Sequence, residues 1–142
     1  MTNYPTWLKT AAIIQFITAI IHAPTLFISP VPNNETEKQL YTLMDTYRFD
    51  FGAGFHRTMN ELTLALSACF TLLCLLSGLL NWYLLKKKID PEIMKGVITI
   101  NLIVFGISFV LIATYAFLAP MILMGLIVLC LLLARIAIRK NG

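Results

Sequence analysis

Residues 96–134 read GVITINLIVFGISFVLIATYAFLAPMILMGLIVLCLLLA, an unbroken run without Asp, Glu, Lys, Arg or His. As a single helix this run would rise about 58 Å, nearly twice the ~30 Å hydrocarbon core of a bilayer. It must therefore fold back on itself. Pro120 supplies the break: it lacks a backbone donor and disfavours helix in the residue before it, while its fixed φ suits the first turn of a new helix. Two apolar helices follow, over about 97–118 and 121–138.

Two more spans lie toward the N-terminus. Leu62 to Leu85 carries no charge and stops at Lys86, Lys87 and Lys88. Extended back through its polar start, this span covers about 56–85. The first span covers about 8–29, with Lys9 at its start and Pro24 bending its far end. The N-terminal apolar stretch has the look of a secretory signal, but no small-x-small cleavage site follows it, so it reads as a retained helix. Composition agrees: of 142 residues 58% are hydrophobic and 13% charged, and the mean hydropathy is +0.80, outside the usual soluble range. The expected fold is all-α, a four-helix transmembrane bundle forming a single integral membrane domain over 1–142.

The formal net charge of +4 does not point to nucleic acid, because the cations flank apolar runs instead of forming a basic face with interleaved aromatics. They set orientation. Lys9, Lys86, Lys87, Lys88, Lys95, Arg135, Arg139 and Lys140 fall on one side of the four spans. Lys38, Arg48 and Arg57 fall on the other, diluted by Glu35, Glu37, Asp45 and Asp50. The distribution places both termini in the cytoplasm, as expected of a multi-pass protein of the cell (inner) membrane. Cys69, Cys74 and Cys130 all lie in apolar segments without a Cys-x-x-Cys pair, which argues against a disulfide framework.

The first extracytoplasmic loop has structure of its own. Asn34 followed by Glu37 marks a helix start, and Leu40, Leu43, Met44 and Tyr47 recur at helical spacing, predicting a short amphipathic helix over about 35–47. It would lie on the membrane surface or over the mouth of the bundle, with Gly52 and Gly54 turning the chain into the second span.

Polar residues within the spans form stripes. Gln15, Thr18, His22, Thr25 and Ser29 share one face of the first. His56, Asn60, Thr63 and Ser67 begin a stripe on the second that continues through Phe70, Cys74, Ser77 and Asn81. Asn101, Ser108 and Tyr115 mark the third. The fourth has almost none, which predicts that it is the most lipid-exposed. Small hydrogen-bonding residues line helix contacts in membrane proteins generally, and this accounts for Thr, Ser and Asn without any further role. Ionisable groups near the hydrocarbon ask for more explanation. His22 and Glu61 fall about 10 Å below the outer surface, Tyr115 approaches the same level, Arg57 and Glu61 are spaced to pair along one helix face, and His56 and Asn60 stand beside them. They form the candidate site, roofed by the first loop; an internal knot that only fixes helix packing is the competing reading.

A lipid, quinone or similar lipophilic small molecule suits an apolar cavity with a few polar anchors. The alternative is a small structural or accessory subunit of a larger membrane complex. Metal or haem ligation and proton-coupled transport come after these: no His-x-x-x-His or Glu-x-x-His pairing is present, and the inner halves of the spans hold only Gln15, Asn81 and Asn101 as strong polar groups. No nucleophile elbow, phosphate-binding glycine loop or Cys-His pairing occurs, so no catalytic residue and no cofactor can be named. The chain's partners would be the bilayer itself, a lipophilic molecule, and further copies of itself or a larger complex.

The stretch Met44-Asp45-Thr46-Tyr47-Arg48-Phe49-Asp50, followed by Gly54-Phe55-His56-Arg57-Thr58, resembles a family of small, uncharacterised bacterial four-helix membrane proteins. Their corresponding segment reads Met-Asp-small-aromatic-x-Phe-Asp, then Gly-x-x-Arg-Ser/Thr. Tyr115 to Pro120 is similar to that family's aromatic-rich end of the third helix. Where the family has glycine in the second helix this chain has Ala65. The resemblance implies the fold and a bacterial inner membrane, carries no activity, and singles out Asp45, Asp50 and Arg57 as motif positions.

Overall fold

The computed structural model describes residues 3–28 and 30–140. Ser29, the last member of the first polar stripe, lies outside them. The protein is all-α apart from one small hairpin. Helix α1 spans Tyr4–His22 and continues as a 3-10 turn over Ala23–Leu26; α2 is Glu35–Thr46; strands β1, Arg48–Asp50, and β2, His56–Thr58, form the hairpin; α3 is Met59–Lys86, α4 Pro91–Tyr115 and α5 Leu118–Lys140. Four helical segments, Tyr4–Leu26, Met59–Lys86, Pro91–Tyr115 and Leu118–Arg139, are long and apolar enough to cross a membrane.

The helix ends follow from local chemistry. Asn34 caps α2 by accepting a hydrogen bond from the Glu37 N–H at 2.9 Å, and this helix occupies nearly all of the segment expected over 35–47. Asp90 caps α4 by accepting from the Glu92 N–H at 2.8 Å, with Pro91 in the first turn, where its missing donor costs nothing. Pro120 lies in the first turn of α5, and only Ala116 and Phe117 separate α4 from α5.

The second span starts later than expected. Residues 56–58 form strand β2, not the first turn of α3. Thr58 instead caps α3. Its Oγ1 accepts from the Glu61 N–H at 3.2 Å and its own N–H donates to Glu61 Oε2 at 2.9 Å, a reciprocal capping box. The hairpin pairs Arg48 with Thr58, Phe49 with Arg57 and Asp50 with His56. Its turn needs glycine: Gly52 and Gly54 sit at φ +79° and +81°, with Ala53 between them at +50°. Asp50 Oδ1 accepts from the Gly52 N–H at 2.8 Å and locks the turn.

The chain divides into two compact units, Met1–Ala19 with Leu73–Gly142, and Ile20–Leu72. In the first unit α4 and α5 pack against each other, and Met94, Ile98, Asn101 and Phe105 on α4 and Met124, Ile127, Leu131, Ala134 and Ile138 on α5 are buried. Both sets recur at intervals of three and four, so each helix buries one face. Contrary to expectation, α5 is therefore not the most exposed helix: its seam is apolar, and the absence of a polar stripe did not mean absence of a packed face. Gly78 permits a close approach, since a Cβ there would meet the Phe16 ring at 3.2 Å and the Ala12 carbonyl oxygen at 3.3 Å. Outward positions are large and apolar, as with Leu76 and Ile100, each about two-thirds exposed.

A closed ring of hydrogen bonds lies inside this unit. Gln15 Nε2 donates to Ser77 Oγ at 2.9 Å, Ser77 Oγ donates to Asn101 Oδ1, Asn101 Nδ2 donates to Asn81 Oδ1 at 3.4 Å, and Asn81 Nδ2 donates to Gln15 Oε1 at 3.2 Å. All four residues are buried. Asn101 Nδ2 also reaches the Val97 carbonyl at 3.0 Å. Most hydroxyls of the long helices behave differently: those of Thr18, Thr71, Ser108 and Thr114 bond the carbonyl four residues back in their own helix. Replacing Asn101 with leucine strips Ser77 of an acceptor and Asn81 of a donor at once. Unfolding in detergent or bilayers, followed for Asn101→Leu against wild type, should show a loss of about 1–2 kcal/mol.

Candidate functional site

The candidate residues of the second unit can be followed from the ends of α1 and α3. Asn60 stands in the first turn of α3, just inside the Thr58 cap, and its Nδ2 donates to Asp45 Oδ1 of α2 at 2.7 Å. This bond joins residues fifteen apart in sequence and ties α2 to the start of α3. Beside it opens a cavity of about 410 Å³, lined on the α2 side by Lys38, Tyr41, Thr42, Met44 and Asp45, and on the α3 side by Asn60, Thr63, Leu64 and Ser67. Thr25, Pro30 and Pro32 close it. The volume lies within the range of small-molecule sites, and the lining is mixed: Pro30, Pro32, Met44 and Leu64 are apolar, while the other lining residues carry polar side chains. Asn60 itself is exposed, and its Oδ1 accepts no hydrogen bond among the described residues.

Of the six residues read as a site from sequence, Asn60 alone lines this cavity, together with the motif residue Asp45. Glu61 is spent on the helix cap. Arg57 and His56 are exposed on β2, because the strand breaks the helical register that would have aligned them with Asn60. Arg57 and Glu61 form no ion pair; among the described residues the ion pairs are Lys38 with Glu35 and Lys95 with Glu92. His22 packs against Phe70 with the rings tilted and their centroids 5.1 Å apart, and its Nδ1 lies 2.9 Å from Thr25 Oγ1. Tyr115, at the end of α4 in the other unit, is 84% exposed. The remaining motif residue, Asp50, holds the hairpin turn. No group of three or more His, Cys, Asp or Glu side chains that could hold a metal ion occurs among the described residues.

Sequence reasoning missed Lys38, Tyr41 and Thr42 as lining residues. A signal was there: they lie one turn apart on α2, beside the Leu40, Leu43 and Met44 set that identified the helix. It also missed the hairpin, although Tyr47, Phe49 and Phe51 alternate with Arg48 and Asp50 at the period of a strand. Those aromatics lie in a row, with Tyr47 and Phe49 centroids 5.0 Å apart, edge to face, and Phe51 tilted against Phe49.

The α2 roof is held at its start by charge. Glu37 Oε2 accepts from the Asn33 N–H at 2.7 Å and from Asn33 Nδ2 at 2.9 Å; these bonds, the backbone one foremost, hold its carboxyl below the usual glutamate range. A carboxyl depressed on folding contributes stability that is present above its unfolded value and lost as pH falls through the folded one. Amide protection at residues 34–38, taken relative to the intrinsic exchange rate at each pH, should therefore fall on acidification through and below the ordinary carboxylate range. Glu37→Gln should remove the dependence. No family model, curated protein or solved structure matches the chain.

Proposed function

We propose that the protein crosses a bacterial inner membrane four times as a helical bundle, with both termini cytoplasmic, and binds a lipid- or quinone-like amphiphile in the cavity beneath α2. The observation that carries the binding reading is the cavity of about 410 Å³ beside the Asp45–Asn60 bond. Leu64, Met44, Pro30 and Pro32 offer the apolar wall for a ring or chain, while Asn60 Oδ1 and the Thr63 and Ser67 hydroxyls face the polar end. Lys38, on the cavity rim, supplies a cation for an anionic headgroup. Kinship to the small bacterial four-helix proteins, carried by the Met44–Asp50 and Gly54–Thr58 motifs, belongs to the same proposal.

The orientation rests on the lysine and arginine distribution, which the triple lysine after Leu85 and the Arg135, Arg139 and Lys140 end dominate. A second reading, a small accessory subunit of a larger complex, draws support from the hairpin, where Tyr47, Phe51 and Phe55 are each more than half exposed.

Protein purified in mild detergent should yield a stoichiometric amphiphile on solvent extraction and mass spectrometry. Leu64→Trp, which fills the cavity, should reduce its occupancy at least about tenfold, the equivalent of roughly 1.4 kcal/mol. Equal recovery from both proteins would exclude this cavity, and an empty wild type would turn the assignment to the accessory-subunit reading. A tag fused after Gly142 should be shielded from protease and impermeant label in intact cells, and become accessible on inside-out vesicles.

A further inference from the structure

Where α4 begins and α5 ends, the two helices bring three cations together. The two helices run antiparallel through a connection of two residues, so the first turns of α4 meet the last turns of α5. Arg135 and Arg139 are one turn apart and share a face of α5. Lys95 faces them from α4. With Ile136 they line a cleft of about 440 Å³.

Arg135 is held in place: its Nε donates to Thr99 Oγ1 at 2.9 Å, and its remaining guanidinium nitrogens make no hydrogen bond among the described residues. Lys95 pairs with Glu92 at 3.3 Å, and that carboxylate is largely exposed. One carboxylate thus stands against three cations. A planar guanidinium with its outer edge unpaired is the donor set that a phosphate oxygen pair fits.

The apolar part of the cleft says what carries the phosphate. Ile136, Leu132 and Leu129 are spaced four and three apart on α5, each about half exposed, and form a stripe leading from the cations toward the middle of the helix. A free anion would make no use of such a stripe, whereas an acyl chain lies along it. We infer that Lys95, Arg135 and Arg139 bind the phosphate of an anionic phospholipid whose acyl chain runs along Ile136, Leu132 and Leu129. The site shares no residue with the cavity beneath α2, so the failure of either assignment leaves the other standing.

The test uses the full-length protein, delipidated in mild detergent and exposed to an equimolar mixture of phosphatidylglycerol and phosphatidylcholine with identical chains, then read by native mass spectrometry. Wild type should retain phosphatidylglycerol in excess. Arg139→Gln, which leaves the Arg135–Thr99 bond in place, should lower that excess roughly fivefold, and Arg135→Gln with Arg139→Gln should bring it to the ratio of the mixture. Arg48→Gln with Arg57→Gln, on the hairpin, should leave it unchanged. Equal retention of the two lipids by wild type, or an undiminished excess in Arg139→Gln, would overturn the assignment. So would thermal stabilisation by inorganic phosphate matching that by phosphatidylglycerol, which would show the acyl stripe to be idle.

Discussion

Three helices of the larger unit share one closed circuit of donors and acceptors, and their register follows from it. Each of Gln15, Ser77, Asn81 and Asn101 both gives and takes a proton within the ring. In an apolar surrounding an amide left without a partner is costly, and no buried side-chain nitrogen or oxygen lacks one among the described residues. Sliding α1 or α4 by a turn would break two of these bonds together, and sliding α3 would break all four. Leucine and isoleucine faces cannot impose such a condition, because one apolar contact substitutes readily for another.

Because the ring is complete, it has nothing to offer a ligand. Incomplete sets of polar groups occur elsewhere. Beside α2, Asn60 donates to Asp45 and its exposed oxygen accepts from no described residue; where α4 begins and α5 ends, Arg135 is fixed by one nitrogen, and the others have no partner among the described residues. This contrast separates groups that hold the protein together from groups available for binding, and depth in the sequence or rarity of the residue type does not.

Much of the architecture was legible in the residues. A charge-free run too long for one span, broken by Pro120, implied the α4–α5 pair, and Asn34 with Glu37 implied α2. The site was less legible. Counting 56–58 as helix aligned His56, Arg57 and Glu61 with Asn60, but the alternation of Tyr47, Arg48, Phe49, Asp50 and Phe51 followed by Gly52 and Gly54 builds a hairpin. Once β2 takes residues 56–58, Thr58 becomes the cap and Glu61 its partner, so two apparently functional charges acquire other surroundings. The stripes holding Gln15, Ser77, Asn81 and Asn101 were visible as periodicity; that they close into a ring depends on helix rotation, which spacing alone leaves open. The fourth helix misled for the opposite reason, since a seam of Met124, Ile127, Leu131 and Ala134 carries no polar mark.

The hydroxyls that bond back to their own helices have a consequence for how this chain tolerates change. Thr18, Thr71, Ser108 and Thr114 satisfy themselves within one turn, so each is exchangeable for alanine or valine without orphaning a neighbour. The four ring members are interdependent, and drift at any one of them demands a compensating replacement at a position twenty or more residues away. Across divergent descendants of this chain, the threonines would scatter while the amides changed only in company.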